Sequence, residues 1–341
     1  MESPTELLVP PDPVAVAEAY DLGQPRGTPT VAARGELGRI WRLETSSGTW
    51  AVKELLRFDP IVVESAARGD VAFQRAALQA GIAMPRPVVS KAGTVTFIVT
   101  APQGPPKRVR VYTWLDLATR EAVPAPSDVA AILGRLHATA PADDRAVDPW
   151  FTVPPTPDRW PALLREASSQ GAPWRPALAD LVPIVAATLG SIPAVDMSSR
   201  ITCHLDFNPE NVLVDTQGRI VVIDWENSGP ATAEQELASS VAEFVTDPAE
   251  TRNFIDAYAA AGGTGRLVDR SSFRMTAVVQ ANLVETYARL ALALASAPED
   301  RARSAHWVED IAAHAFTVGR IDAWLAAGAS RDRSARSANR P

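Results

Sequence analysis

The chain has 341 residues, a net charge of −7 and a pI of about 5.3, enough length for two lobes or domains and an acidic balance that argues against a nucleic-acid partner. Its single cysteine, Cys203, excludes an internal disulfide and fits a reducing cytoplasm. The N-terminus has neither a basic nor an apolar leader and no apolar run is long enough to span a bilayer, so neither a signal peptide nor a membrane partner is expected.

Residues 1–12 are Pro-rich and read as loose, and 13–20 as a short helix with Asp12 as N-cap and Pro13 in its first position. Strands follow at 30–33 and 39–43, flanking Gly35 and Gly38, with a third at 49–55. That third strand carries Lys53, one of only three lysines among 33 basic residues. Apolar positions at Val63, Ala67, Val71 and Leu78 predict a helix over 61–80, closed by Gly81. Strands are expected at 94–100 and 108–114, joined by a turn at 102–106. A helix at 128–138 has Ser127 as its expected N-cap, and a Pro- and Trp-rich stretch occupies 141–176. Further helices are predicted at 177–189, from about 233, and at 248–261, 271–297 and 299–325, before a polar tail at 328–341. Cys203 reads as a small buried residue on a strand.

The densest chemistry lies between Ile201 and Glu226. Asn211–Val214 and Arg219–Ile223 are rich in β-branched residues, and Asp215–Gly218 reads as a turn with Gly218 available for a positive φ. Folding the hairpin about a centre between Thr216 and Gln217 sets Asn211 opposite Val222 and makes Asn211 and Asp224 diagonal neighbours on one face. Asp206 lies on the loop before. An amide oxygen beside a carboxylate suits Mg²⁺, a hard cation that leaves its other positions to water and phosphates. A further acid nearby could accept a hydroxyl proton. The order His204-x-Asp206, Asn211, strand pair, Asp224 is that of a kinase catalytic loop and metal loop.

At this point the chain resembles a known family. His204-Leu-Asp206-Phe-Asn-Pro-Glu-Asn211-Val-Leu-Val, followed by Ile223-Asp224-Trp225-Glu226, is similar to the aminoglycoside phosphotransferase family of small-molecule kinases. Protein kinases carry Arg in place of Leu205 and Phe-Gly in place of Trp225-Glu226, and after Asp224 there is no room for an activation loop. The resemblance spans about residues 28–325. It implies an α+β, protein-kinase-like two-lobe fold, with an antiparallel N-lobe sheet carrying one long helix and a mainly α-helical C-lobe. The expected division is an N-terminal segment at 1–27, an N-lobe at 28–112, a C-lobe at 113–327 and a tail at 328–341.

It also implies roles. Asp206 would be the base, Asn211 and Asp224 the Mg²⁺ ligands, and Lys53 the cation on the nucleotide phosphates. Gly35 and Gly38 form either a phosphate loop or a plain hairpin. Asp70 is the acid that the family pattern pairs with Lys53, with Glu64 as competitor. Tyr112 and Trp114 begin a linker, 112–117, whose backbone could meet a purine edge. Trp160 and Trp174 lie in an insertion that would shape the acceptor pocket, either stacking on a ring or packing a helical hairpin. His137 reads as structural, and Glu236 stands where the family usually has Asp. His204 reads as a brace. Glu226 could ligate a second metal, touch the acceptor or cover the loop.

The expected activity is therefore transfer of phosphate from ATP or GTP to a small-molecule hydroxyl, with an antibiotic as the leading acceptor. Alternatives are a kinase of a primary metabolite such as choline, homoserine or a ketosamine, and an inactive nucleotide-binding protein.

Overall fold

The computed structural model describes residues 9–34, 38–55, 71–100, 106–119, 121–193, 195, 197–294 and 297–329. The first 124 residues hold α1 (Pro13–Tyr20), β1 (Thr30–Arg34), β2 (Gly38–Thr45), β3 (Gly48–Leu55), α2 (helical over 71–79), β4 (Pro87–Val88), β5 (Thr96–Val99) and β6 (Lys107–Thr113). Next come α3 (Pro126–Thr139), α4 (Pro149–Thr152), α5 (Arg159–Ser169), α6 (Arg175–Ser191) and β7 (Ile201–Cys203). A hairpin of β8 (Val212–Val214) and β9 (Ile220–Val222) precedes β10 (Gly229–Ala231). The chain continues through α7 (Ala233–Phe244), α8 (Thr251–Ala260), α9 (Arg274–Leu292), α10 (Pro298–Ala313) and α11 (Val318–Ala329). Contacts divide it into two units, Met1–Pro124 with Glu210–Ser228, and Ala125–Pro209 with Gly229–Pro341.

The first unit is an antiparallel sheet of order β1-β2-β3-β6-β4, with β5 also paired to β6. Asp12 caps α1 by accepting the Val14 N–H at 3.0 Å, and Pro13 opens the helix. Val16, Ala17 and Tyr20 of α1 are buried with Trp41, Leu43, Val52, Val109 and Val111 of the sheet. Each large apolar side chain sealed there contributes about 1.5–3 kcal/mol. Tyr20 satisfies its hydroxyl by donating to the Val95 and Val109 carbonyls, both at 3.0 Å. Strand alternation then sets the other face. Val52 pairs with Val111 and Lys53 with Arg110, so Lys53, Arg110 and Tyr112 share the side away from α1. Gly38 makes room there: a Cβ on it would meet the Glu54 carbonyl at 2.9 Å and Lys53 Cε at 3.3 Å.

The hairpin is sewn into this unit by its backbone. The Val222 N–H donates to the Ala83 carbonyl at 3.0 Å, the Ala118 N–H to that of Val214 at 2.8 Å, and the Thr216 N–H to that of Asp116 at 3.0 Å. Residues 210–228 accordingly group with the first 124, where the sequence reading put everything from 113 to 327 in one lobe.

Its register also differs by one residue from the expected pairing. Val212 pairs with Val222 and Val214 with Ile220, and the Ile223 N–H reaches the Asn211 carbonyl at 2.9 Å. The turn is centred on Gln217, because Asp215 accepts the N–H groups of both Gln217 and Arg219 at 2.9 Å and Gly218 takes φ 78°. Plain alternation from that register would turn Asp224 away from Asn211. Instead Asp224 leaves the strand at φ 62°, ψ 58°, the left-handed region that re-aims its side chain.

The second unit is mainly helical. One core gathers Trp160, Leu163, Trp174, Leu178, Ala281, Val284 and Val308, and a smaller one Phe151, Cys203, Ala231 and Met275. β7 and β10 pair antiparallel, with Cys203 opposite Gly229. Ser127 is not the cap of α3, which starts at Pro126 and has Ala125 before it without a side-chain bond. The stretch 299–325 is two helices, α10 and α11, separated by residues 314–317.

Candidate functional site

In the first unit, the acidic turn after β9 is built on Trp225. Its ring is buried edge-on against Phe73 at 5.4 Å, and its indole N–H donates to the Val222 carbonyl at 3.1 Å. With Trp225 anchored, its neighbours Asp224 and Glu226 converge on Lys53. The Lys53 ammonium lies 2.6 Å from Asp224 Oδ1 and 2.9 Å from Glu226 Oε2. Tyr112 donates its hydroxyl to Glu226 Oε1 at 2.8 Å, and Arg110 Nη1 stands 3.8 Å from the same oxygen.

Two cations and two carboxylates thus balance one another. Burial works against the charge on Lys53, but Glu226 and Asp224 outweigh it and raise its pKa. Burial and then Glu226 push Asp224 up to about 7, against the pull of Lys53. Burial would raise Glu226 too, yet Lys53, a hydrogen bond from Asp224 and Arg110 hold it below the usual carboxylate range. Burial and Glu226 together raise Tyr112. Asp224 keeps 38% of its side-chain surface open, against 10% for Glu226. A hard cation and a phosphate could exchange into such a cluster, because each brings charge opposite to a group already there. Asn211, just before β8, is 7% exposed in the same unit.

In the second unit, β7 leads into a loop with its own support. Leu205 sits at φ 63°, a conformation costly for a leucine, and its N–H donates to Glu236 Oε1 at 2.6 Å. The Asp206 N–H turns to Nδ1 of the buried His204 at 3.3 Å, and Asn208 Nδ2 donates to Asp206 Oδ1 at 2.7 Å. Phe207 is buried, edge-on to His204 and tilted against Phe244. His204 therefore braces the loop.

Beneath lies a relay. The Gly265 N–H donates to the Tyr258 hydroxyl at 2.9 Å, and that hydroxyl shares a hydrogen bond with His137 Nδ1 at 2.7 Å. Because the Glu236 carboxylate only accepts, His137 carries a proton on Nε2 for Glu236 Oε2, also at 2.7 Å. Burial alone would raise Glu236, but His137, His204 and the Leu205 N–H lower it. His137, Cys203 and Glu236 have ligand atoms within 4.8 Å of one another. Both ring nitrogens of His137 are already used, so this is a hydrogen-bond hub rather than a metal site, and burial raises the Cys203 thiol.

Other predicted residues fall as follows. Gly35, Glu64 and Asp70 lie outside the described residues. Gly38 clears the path of the Lys53 stem. Trp114 turns its ring toward β2, with Arg42 over it at 5.4 Å; its indole N–H donates to Asp116 Oδ1 at 2.8 Å and its backbone N–H to the Thr49 carbonyl at 3.2 Å. Trp160 and Trp174 are 5% and 3% exposed in the helical core, so they fill the hairpin and present no ring face to an acceptor. The half-buried Trp150 instead walls a groove of about 420 Å³ with Pro154 and Pro155, facing Asn282, Glu285 and Arg289 of α9. Arg159 and Arg289 both pair with Glu285, at 2.9 and 2.8 Å. The sequence reading missed Arg110 and the Glu226–Tyr112 bond. Their signal was the strand register, which sets a second cation directly across from Lys53.

The sequence profile described as the phosphotransferase enzyme family matches residues 29–276. Among solved structures the chain is similar to spectinomycin phosphotransferase APH(9)-Ia in complex with ADP and spectinomycin, at 14% identity and TM-score 0.62, over 92% of this chain and 96% of that one. It is similar to a microcompartment-associated aminopropanol kinase at 15% identity and TM-score 0.54, over 88% and 94%. It is also similar to a choline/ethanolamine kinase family protein from Mesorhizobium loti at 18% identity and TM-score 0.51, over 93% and 97%. At such identities the likeness is one of fold. No curated protein matches the chain.

Proposed function

We propose, on the premise that this chain belongs to the phosphotransferase enzyme family, that it moves the terminal phosphoryl group of ATP or GTP to a hydroxyl of a small molecule. The observation that carries the reading is the contact of Lys53 with Asp224 at 2.6 Å across 171 residues of chain. A cation suited to phosphates and an acid suited to a metal meet on one face of the sheet.

In this reading Lys53 binds the phosphates of the nucleotide, and Asn211 and Asp224 hold Mg²⁺. When bound, the metal neutralises phosphate charge as it develops. Asp206 accepts the proton of the acceptor hydroxyl or orients it, with Asn208 and His204 holding its side chain and backbone. Phosphoryl transfer is loose, so positioning and charge supply most of the acceleration.

An antibiotic is the leading acceptor, and an amino alcohol is the second, because spectinomycin and aminopropanol enzymes share the fold. The groove beside Trp150 supports an acceptor with a ring. The test is phosphate transfer from ATP and from GTP to panels of antibiotics and amino alcohols, read by mass spectrometry. Asp206→Ala should lower kcat by about 10²–10⁴-fold with the fold intact. Undiminished turnover in that variant removes Asp206 from the mechanism.

A further inference from the structure

We propose that Glu226 is a positioning residue for Lys53, tying the lysine to β6, and is not a ligand of a metal. The proposal rests on the reading of Lys53 as phosphate ligand and Asp224 as metal ligand.

The strand register raises a problem that Glu226 solves. Lys53 and Arg110 are directly opposite on β3 and β6, where like charges repel. A carboxylate placed between them removes the repulsion. Glu226 reaches both, at 2.9 Å from the ammonium and 3.8 Å from the guanidinium. Its first oxygen also accepts the Tyr112 hydroxyl. Tyr112 and Arg110 are alternate residues of β6, so the carboxylate is moored to one strand and holds the side chain of the next.

Asp224 and Glu226 share one lysine, yet their surroundings separate their tasks. Glu226 is 10% exposed and both its oxygens face sheet residues. Asp224 is 38% exposed on a turn with a left-handed backbone. A small divalent cation keeps several waters and needs ligands with open lone pairs. Asp224 meets that requirement, whereas Glu226 is buried with Lys53 at one oxygen and the Tyr112 hydroxyl on the other. With Asp224 holding the metal and phosphates at the ammonium, Glu226 would remain the lysine's carboxylate partner. It keeps the lysine extended along the sheet instead of collapsed onto Asp224.

The two roles differ in their dependence on metal. Calorimetric titration of the full chain with ADP, in Mg²⁺ and in chelator, separates them. E226Q should bind ADP about tenfold more weakly in both conditions, the size expected for losing one charged hydrogen bond. D224N should lose only the strengthening that Mg²⁺ brings. An E226Q protein that loses only the Mg²⁺-dependent part, or that binds ADP as the wild type does, overturns the proposal. If E226Q does not fold, Y112F replaces it: a few-fold loss in both conditions supports the mooring, and unchanged affinity overturns it. If Lys53→Ala and D224N both bind ADP normally, the phosphate-site reading itself falls, a result distinct from failure of E226Q alone.

Discussion

The lysine cluster of the first unit and the loop support of the second are both assemblies of buried polar groups, but they are held in different ways. Around Lys53 the bonds are ionic and one carboxylate is partly open, which is what the proposed exchange for a metal and phosphates requires. Around Glu236 the partners are hydrogen bonds closed on every side: Leu205, His137, Tyr258 and Gly265. The first assembly is balanced in charge and open to solvent at Asp224. The second is complete by itself and spends its bonds on holding Leu205 in a conformation it would otherwise avoid. Groups that meet ligands keep spare capacity, and groups that aim the backbone do not.

That contrast can be broken most directly at Glu236. Glu236→Ala strands the Leu205 N–H and the His137 Nε2–H without an acceptor, each of which should cost about 1–3 kcal/mol. Urea unfolding measures it. Asp224→Ala removes an acid that solvent already reaches, and its unfolding free energy should change far less. Equal losses in the two variants would erase the distinction.

A smaller effect is expected at Gly38. A methyl group there would approach the Glu54 carbonyl at 2.9 Å and the Lys53 stem at 3.3 Å. Gly38→Ala should therefore destabilise the protein by about 1–3 kcal/mol and weaken ADP binding a few-fold. Retention of full affinity would show that the lysine can be re-routed.

The smallest effect is in pH. Glu236 has a folded-state pKa below its ordinary 4.5, because its partners favour the charged form. Its contribution is therefore present above pH 4.5 and is lost as pH falls through the folded value. Acid unfolding of wild type should steepen in that window, while Glu236→Gln should show a shallower slope. Identical slopes would mean that the carboxylate is not the titrating element.

Much of the fold was legible because it is local. Asp12-Pro13 specifies the start of α1, and β-branched runs specify β8 and β9. The pairing of those strands was misread by one residue. The turn centre depends on which backbone N–H groups the Asp215 side chain accepts, a choice that composition leaves open. Ser127 looked like a cap, yet Pro126 begins α3 one residue earlier. The insertion tryptophans offered stacking and packing equally, and burial selected packing for Trp160 and Trp174.

By itself the sequence determined which residue types stand at which spacing: a rare lysine on a strand, a loop acid, an amide and a second acid around a hairpin. It thereby determined the class of chemistry. Only the tertiary structure decided that Asp224 leaves its strand in a left-handed turn, and that Glu226 answers to Arg110 and Tyr112. Only the fold, again, makes Glu236 hold Leu205. The reason is physical. Periodicity tells which face of its own element a side chain takes, whereas a buried charge finds its partner among residues a hundred positions away, and that choice exists only once the chain has folded.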